Sequence, residues 1–461
     1  MISILALALA TTAQPNATAA FATIAQPNLT EPQNGNVAPM RLSMDDAVEV
    51  GTERSFRLQR SVRNERMAEQ RVAGTRAGLL PRVDVGMGAD QSQRHYDFKG
   101  DFDYNQARPA FYAAGNANAS YDIDISGVKK RQLQQSRLSK EMSEVDLRQA
   151  TLDVSSDIRT QYVQALRAQE QVAADEDYLR SIEGLLERAR TSQPSVVSFL
   201  ETERSNAKQS LESTKQNADL AFSNLRQGLR IKNDQPLELT SKLSNPVPLP
   251  SADQLLNIAY QNRNDLKQAD IRLKQARLQK VQATDSRKPS LRASANASQA
   301  FNGDYITLRG KNHGRTQQAA ALLNFALPIF LYDGGQLNSQ KNIANIQAEQ
   351  ALADAEEARE RAENEINQVM IGLNRAQQRL KSLPDANQAR QSLLQAEQQM
   401  LVASPTEAAG VLAQVTNARQ NWRSSLLSRN DALTDFYSNF YRLQRSLGTE
   451  DIGPQYVAMA R

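Results

Sequence analysis

The sequence predicts a mixed α and β membrane protein built from an internally duplicated chain, with four transmembrane β-strands per subunit and long α-helical hairpins forming a tunnel. Three observations carry this. Two helix starts share a capping pattern 208 positions apart, at Ser43 and Ser251. Four segments alternate apolar and polar residues with a period of two. Two helical stretches, Val128 to Arg190 and Gln336 to Met400, are far longer than a globular core needs.

The duplication organises the rest. Ser43-Met44-Asp45-Asp46 and Ser251-Ala252-Asp253-Gln254 each set a serine three residues before an acid or amide, the capping box that satisfies free amides at a helix start. Leu58 and Leu266 correspond at the same displacement, and so do Pro81 and Pro289. The first repeat spans 42–230 and the second 251–448, each reading helix, strand, strand, long helix, returning helix. Between them, 231–250 carries Pro236, Pro246, Pro248 and Pro250, a linker that cannot be regular helix. Residues 449–461 form a tail. Residues 1–22 join a short apolar run to small residues (Ala17 to Ala22) and read as a signal peptide, although the usual positive n-region is missing.

Composition narrows the function classes. Aromatics make up 5% and apolar residues 40% of 461 residues, too little for several wide dry cores, so narrow helix seams lined by Ala and Leu are expected. The net charge of +4 is spread thinly, and its densest run, Lys129-Lys130-Arg131, lies among acidic neighbours. A nucleic-acid partner would need a basic stripe interleaved with stacking aromatics, so none is expected. The chain has no cysteine, which removes disulfides, thiolate metal sites and lipidation through a cysteine. His95 and His313 have no partner at ligand spacing and read as surface imidazoles. No glycine-rich phosphate loop or nucleophile pattern is present, so no cofactor, metal or catalysis is expected.

The strand blocks follow. From Phe111 to Ile125 the odd positions are apolar or small and the even ones include Asn116, Asn118, Ser120, Asp122 and Asp124. Leu291 to Ser298, the run Leu323, Phe325, Leu327, Ile329, and Val83, Val85, Met87 complete a set of four. About ten such residues cross a bilayer when tilted. Aromatics collect near the strand ends (Tyr96, Phe98, Tyr104, Phe301, Tyr305, Phe330, Tyr332), where an interfacial girdle would sit. Four strands cannot close a barrel, and an open edge in lipid costs several kcal/mol per unpaired backbone group. Chains must therefore share a wall; three copies give twelve strands and room for water.

The helical stretches end in polar breaks, Thr191 to Ser195 and Ala403 to Thr406, each with a proline (Pro194, Pro405) and each followed by a returning helix to Arg230 or Gly448. Alanines along Gln336 to Met400 (Ala344, Ala348, Ala351, Ala355, Ala358, Ala362) mark a close-packed seam, and Pro384 should break or kink it. Gly127 and Asp333-Gly334-Gly335 mark strand-to-helix turns, where glycine permits positive φ.

Together with Asn262-Arg263-Asn264-Asp265-Leu266, Pro328 to Gly335 and the closing Tyr441 to Gly448, this plan resembles the TolC-like outer-membrane efflux protein family over 42–448. The resemblance implies a homotrimer with a 12-stranded barrel in outer-membrane lipid and a periplasmic helical tunnel. It also implies a periplasmic adaptor and an inner-membrane transporter of ABC or RND type, serving type I protein secretion or multidrug efflux. Thr191, Ser192, Gln193, Pro194, Ser195, Ala403, Ser404, Pro405 and Thr406 then become the adaptor-docking tips. Relatives close the tunnel with paired acids after the second tip; here that stretch is Gly410-Val411-Leu412-Ala413 with Glu407 nearest, while the first tip offers Glu201 and Glu203, either a gate ring or ordinary exposed charges. The absence of a lipid-bearing cysteine points to the secretion and mixed-export branch. The alternative is a periplasmic adaptor with coiled-coil hairpins.

Overall fold

The computed structural model describes residues 39–98, 104–192, 194–232, 234–243, 250–307, 310–328, 332–383, 385–403 and 407–450. The first half runs β1 (Met40–Leu42), α1 (Met44–Arg54), α2 (Phe56–Ala77), β2 (Arg82–Phe98), β3 (Tyr104–Ile123), α3 (Val128–Ser192) and α4 (Val197–Leu229). The second runs β4 (Leu237–Leu239), α5 (Ala252–Asn262), α6 (Asn264–Gln282), β5 (Ser290–Thr307), β6 (Gly310–Ala326), α7 (Gln336–Ser382), α8 (Ala386–Val402) and α9 (Ala408–Leu447). The first 38 positions, including the expected signal peptide, lie outside the described residues, as does the tail from 451.

Both capping boxes form. The Ser43 hydroxyl accepts from the Asp46 amide while the Asp46 carboxylate takes the Ser43 amide, and Ser251 and Gln254 do the same. The single opening helix expected in each half is in fact two. Ser55 ends α1 and caps α2, accepting from the Leu58 amide, and Arg263 separates α5 from α6. Both break residues are buried, so the chain turns where burial holds an extended backbone rather than where a proline or glycine forces one. The 231–250 linker carries a short strand. Leu237–Leu239 pairs in parallel with Met40–Leu42, tying the linker to the chain start.

The long strands form one antiparallel sheet in the order β2-β3-β5-β6. They hold 17, 20, 18 and 17 residues, nearly twice the expected crossing length, so they extend past the apolar layer as well as through it. The register keeps odd positions on one face. Val83, Ala119, Ala295 and Ala321 form one row, and Val85, Ala117, Ala297 and Ala319 the next. Asp84, Asn118, Asn296 and Gly86, Asn116, Ser298, Gln318 lie on the other face, which also carries Ala320 and Leu322. The strands end at Ile123 and Ala326, so Ile125 and Leu327 fall beyond them, and Ile329 and Phe330 lie outside the described residues. The apolar face is bare: Val83, Val85, Leu323 and Phe325 are exposed and Met87 reaches 89%. Paired backbone with one uncovered apolar face is what a lipid-facing wall requires.

Below the sheet the helices are long. At 65 residues α3 spans roughly 98 Å at 1.5 Å per residue. α2 packs on α3, α3 on α6 and α6 on α7, all antiparallel continuations of the sheet order. The alanine seam is real: Ala344, Ala358, Ala362, Ile366 and Val369 of α7 are buried. The expected rod from Gln336 to Met400 is divided, with α7 ending at Ser382 and Asp385 capping α8 through the Asn387 amide; Pro384 itself lies outside the described residues. The main core sits mid-length, where α1, α5 and the β1–β4 pair pack on α3, α7 and α9. Tyr162 there donates to the Leu42 carbonyl at 2.8 Å, and Phe436, Tyr437, Phe440 and Tyr441 stack along α9. Among the described residues no helix is long and apolar enough to cross a membrane.

Candidate functional site at the hairpin tips

The far ends of the two hairpins meet in a separate small core. Leu185, Leu186, Ala189, Val196 and Leu200 from α3 and α4 pack on Leu393, Ala396, Met400, Leu412, Val415 and Trp422 from α8 and α9. The first tip is tighter than expected. Thr191 and Ser192 end α3 rather than opening a loop, and Pro194 and Ser195 lie in the single 3-10 turn Pro194–Val196. Val196 turns inward and is buried, while Thr191 and Pro194 are exposed. At the second tip Ala403 follows α8, and Glu407 opens α9 through bonds from the Gly410 and Val411 amides to its carbonyl. Gln193, Ser404, Pro405 and Thr406 lie outside the described residues. Val402 is 86% exposed and Phe199 is exposed on α4, apolar tip surface beside the polar breaks.

The expected gate acids have ordinary partners. Glu201 lies 3.7 Å from Arg190, and Glu203 accepts from the Tyr178 hydroxyl at 3.5 Å, both across the α3–α4 seam. Glu407 is exposed. The buried acids are others. Glu397 of α8 is 5% exposed and receives Arg419 of α9 at 2.8 Å, Arg188 of α3 at 3.2 Å and the Ser181 hydroxyl at 3.2 Å. Asp175 of α3, 3% exposed, takes Arg423 of α9 at 2.7 Å and Thr214 of α4 at 2.7 Å, and Arg423 also reaches the Ser210 hydroxyl. Arg167 meets Asp431 at 2.7 Å, and Asp153 takes Arg445 at 2.7 Å and Arg57. The α3–α9 seam is thus a ladder of ion pairs joining the two halves. Asp153, Asp175 and Glu397 are buried, so removing a cation from any of them leaves an uncompensated buried charge.

At the other end of the helices lie the strand-to-helix turns. Gly127, Gly334 and Gly335 have φ of 72, 62 and 86°, the left-handed region that glycine enters at low cost. Asp124 accepts from the Lys129 and Lys130 amides, and Asp333 from the Gly335 and Leu337 amides. Those backbone bonds, together with Arg287, hold the Asp333 carboxyl below the usual carboxylate range despite some desolvation. Arg131 reaches Asp285 with both nitrogens, at 2.6 and 3.1 Å, and Lys288 joins at 2.7 Å, fixing the start of α3 to the turn before β5.

Residues 51–229 match the family model described as outer membrane efflux protein. No curated protein matches the chain in sequence. Among solved structures, the fold is that of the open-state MtrE outer membrane channel of Neisseria gonorrhoeae (TM-score 0.69, 16% identity, 90% of this chain and 93% of that one). It is likewise that of the outer membrane protein VceC of Vibrio cholerae (0.65, 18%, 88% and 96%) and of the CmeC outer membrane channel of Campylobacter jejuni (0.65, 17%, 89% and 87%). The first half of the chain is thus similar in sequence to outer membrane efflux proteins, and the fold is shared with outer membrane channels over most of its length.

The adaptor alternative is set aside: one chain carries two hairpins and a sheet of four long strands, and it superposes on channels over most of its length. The buried acids leave a signal in the sequence. Glu397 continues the stripe Leu393, Met400, and Arg419 the stripe Val415, Trp422, so each charge occupies an apolar helical position.

Proposed function

We propose that three copies of this chain form a twelve-stranded barrel in the outer membrane, continued by a periplasmic helical tunnel. The duct is a passive exit for substrates delivered by an inner-membrane ABC or RND transporter and a periplasmic adaptor, in type I protein secretion, multidrug efflux or both. The carrying observation is the sheet β2-β3-β5-β6, with one uncovered apolar face, one polar face and two unpaired edges. Sheet edges in lipid must be paired, and copies of the same chain supply the partner. The protein does no chemistry of its own; energy comes from the pump. The repeats at 42–230 and 251–448 each contribute two strands and one hairpin.

The tips at 191–195 and 403–406 dock the adaptor, aided by the exposed Val402 and Phe199. The Glu397 hub and the Asp175–Arg423 and Arg167–Asp431 pairs hold the hairpins together in the resting tunnel. An adaptor opens the end only through its preference for the parted arrangement. Glu201, Glu203 and Glu407 line the closing end and bias which solutes pass. The test replaces both tips with unrelated turns. Loss of export with normal trimer assembly is expected; unchanged export would refute docking there.

A further inference from the structure

The helical layer of one protomer runs α2–α3–α6–α7, beneath the sheet order β2-β3-β5-β6, so α2 and α7 form its two free edges. The helices that form these edges differ in charge, counted over all their faces. α2 carries Arg57, Arg60, Arg63, Arg66, Arg71 and Arg76 against Glu65 and Glu69. The upper part of α7, residues 336–366, carries seven carboxylates against Lys341, Arg359 and Arg361. A basic edge and an acidic edge on opposite sides of one protomer fit a head-to-tail contact between copies, and they oppose a symmetric pairing of like edges.

The duplication supplies the register of that contact. Helix starts recur after 208 positions, Met44 and Ala252, Phe56 and Asn264, Val128 and Gln336. The glycines Gly127 and Gly335, both at positive φ, stand at the same displacement. Where both copies of a seam lie within one chain, the operation holds. α2 packs on α3 with Gly78 beside Lys129 and Arg57 beside Asp153, and α6 packs on α7 with Arg287 beside Asp333 and Arg263 beside Glu365, the same antiparallel register to within a few residues. The α3–α6 seam inside a protomer is therefore the copy of a seam between α7 and the next protomer's α2. Across α3–α6, Gln268 donates to Asp146 at 2.7 Å, and Lys274, paired with Asp270 on its own helix, also feels the charge of Glu141. Displaced by 208, Asp146 becomes Asp354 and Gln268 becomes Arg60; Glu141 becomes Glu349 and Lys274 becomes Arg66. Both displaced pairs are of opposite charge.

Resting on the three-copy reading above, we propose that α7 seats on α2 of the next copy of this chain with Asp354 on Arg60 and Glu349 on Arg66. All four side chains are exposed, and none is in an ion pair among the described residues. Ile346 and Leu352 of α7 and Met67 of α2, each about half exposed, form the apolar part of the seam. The charge pairs select the register and the head-to-tail sense, while the apolar contacts and the shared barrel hold the ring.

The chain has no cysteine, so engineered thiols report without background. Full-length protein bearing Arg60→Cys with Asp354→Cys, or Arg66→Cys with Glu349→Cys, is treated in membranes with a short bis-maleimide, and Arg60→Cys with Glu349→Cys is the off-register control. Both in-register pairs should give ladders that stop at three chains, with the control several-fold weaker. A second arm reverses charge: Arg60→Asp with Arg66→Asp should deplete the trimer on an unboiled gel, and adding Asp354→Arg with Glu349→Arg should restore it. A trimer that forms normally while only the control cross-links, or that ignores charge reversal, overturns this seam and leaves the three-copy reading standing. Absence of any trimer in the unsubstituted protein overturns that reading itself.

Discussion

Arg419 of α9 donates to Glu397 of α8 at 2.8 Å, with side-chain exposures of 2% and 6%. The pair lies at the heart of the tip core, and the same carboxylate reaches back to Arg188 and Ser181 on α3. One residue thereby fastens the second hairpin to the first. Glu397→Gln should cost about 3–5 kcal/mol, as for breaking a buried pair from one side, because Arg419 stays buried without its counter-charge. Thermal unfolding of the detergent-solubilised protein followed by circular dichroism measures this. A loss no larger than that of Glu201→Gln, an exposed control, would contradict the hub role.

The ladder beyond Glu397 should set how tightly the duct rests. Arg423→Glu and Arg167→Glu each place like charges against Asp175 and Asp431, across α3 and α9. The expected result is a trimer that still assembles but melts earlier, with raised single-channel conductance, and uptake of a large hydrophilic antibiotic by cells. Conductance equal to the parent would mean that these pairs only support the fold.

Gly448 caps α9 at φ 74°, and a Cβ there would meet the Asn262 carbonyl oxygen at 2.7 Å and the Arg263 Cα at 2.8 Å. Gly334 has φ 62° and open space around it. Gly334→Ala should therefore lose about 1–2 kcal/mol, the left-handed backbone cost alone. Gly448→Ala should lose clearly more, since rigid backbone of the α5–α6 corner stands in the way. Side-by-side melting curves decide it, and equal losses would remove the claim that α9 docks on that corner.

How much of this was legible in the sequence depended on how local the cause was. Ser43 and Ser251 announced their helices because a capping box is written in four residues, and the alternation from Val83 and Leu291 announced the strands because pleating alone sets its period. The breaks at Ser55 and Arg263 were hidden because they depend on burial against distant elements: Arg263 bonds the Ser446 carbonyl and Glu365. The β1–β4 pairing joins residues almost two hundred positions apart, beyond any local pattern. At the tips, Glu201 and Glu203 stand out because they lie in the first turns of α4 beside the polar break, whereas Glu397 and Asp175 sit well inside their helices and show only as charges in apolar stripes.

Acid should loosen the collar between helices and strands. Burial works against the charged form of Asp285, but hydrogen bonds from Arg131 and Lys288 outweigh it and hold the carboxyl below its usual range. A carboxyl with a depressed folded pKa contributes stability above its unfolded value, near 3.9, and that contribution is lost as pH falls through the folded value. Stability should thus be insensitive to Asp285 titration from neutral pH down to about 4 and decline below it. Asp285→Asn should lower stability at pH 7 and flatten this acid limb; an unchanged limb would assign it to other carboxylates.

The three-chain duct is tested most directly by extracting the outer membrane in detergent, running the protein unboiled beside a boiled sample, and reconstituting the slow species in a planar bilayer. A heat-modifiable band of three chains that conducts ions through a stable water-filled path is expected. A folded monomer, soluble without detergent and silent in the bilayer, would contradict it.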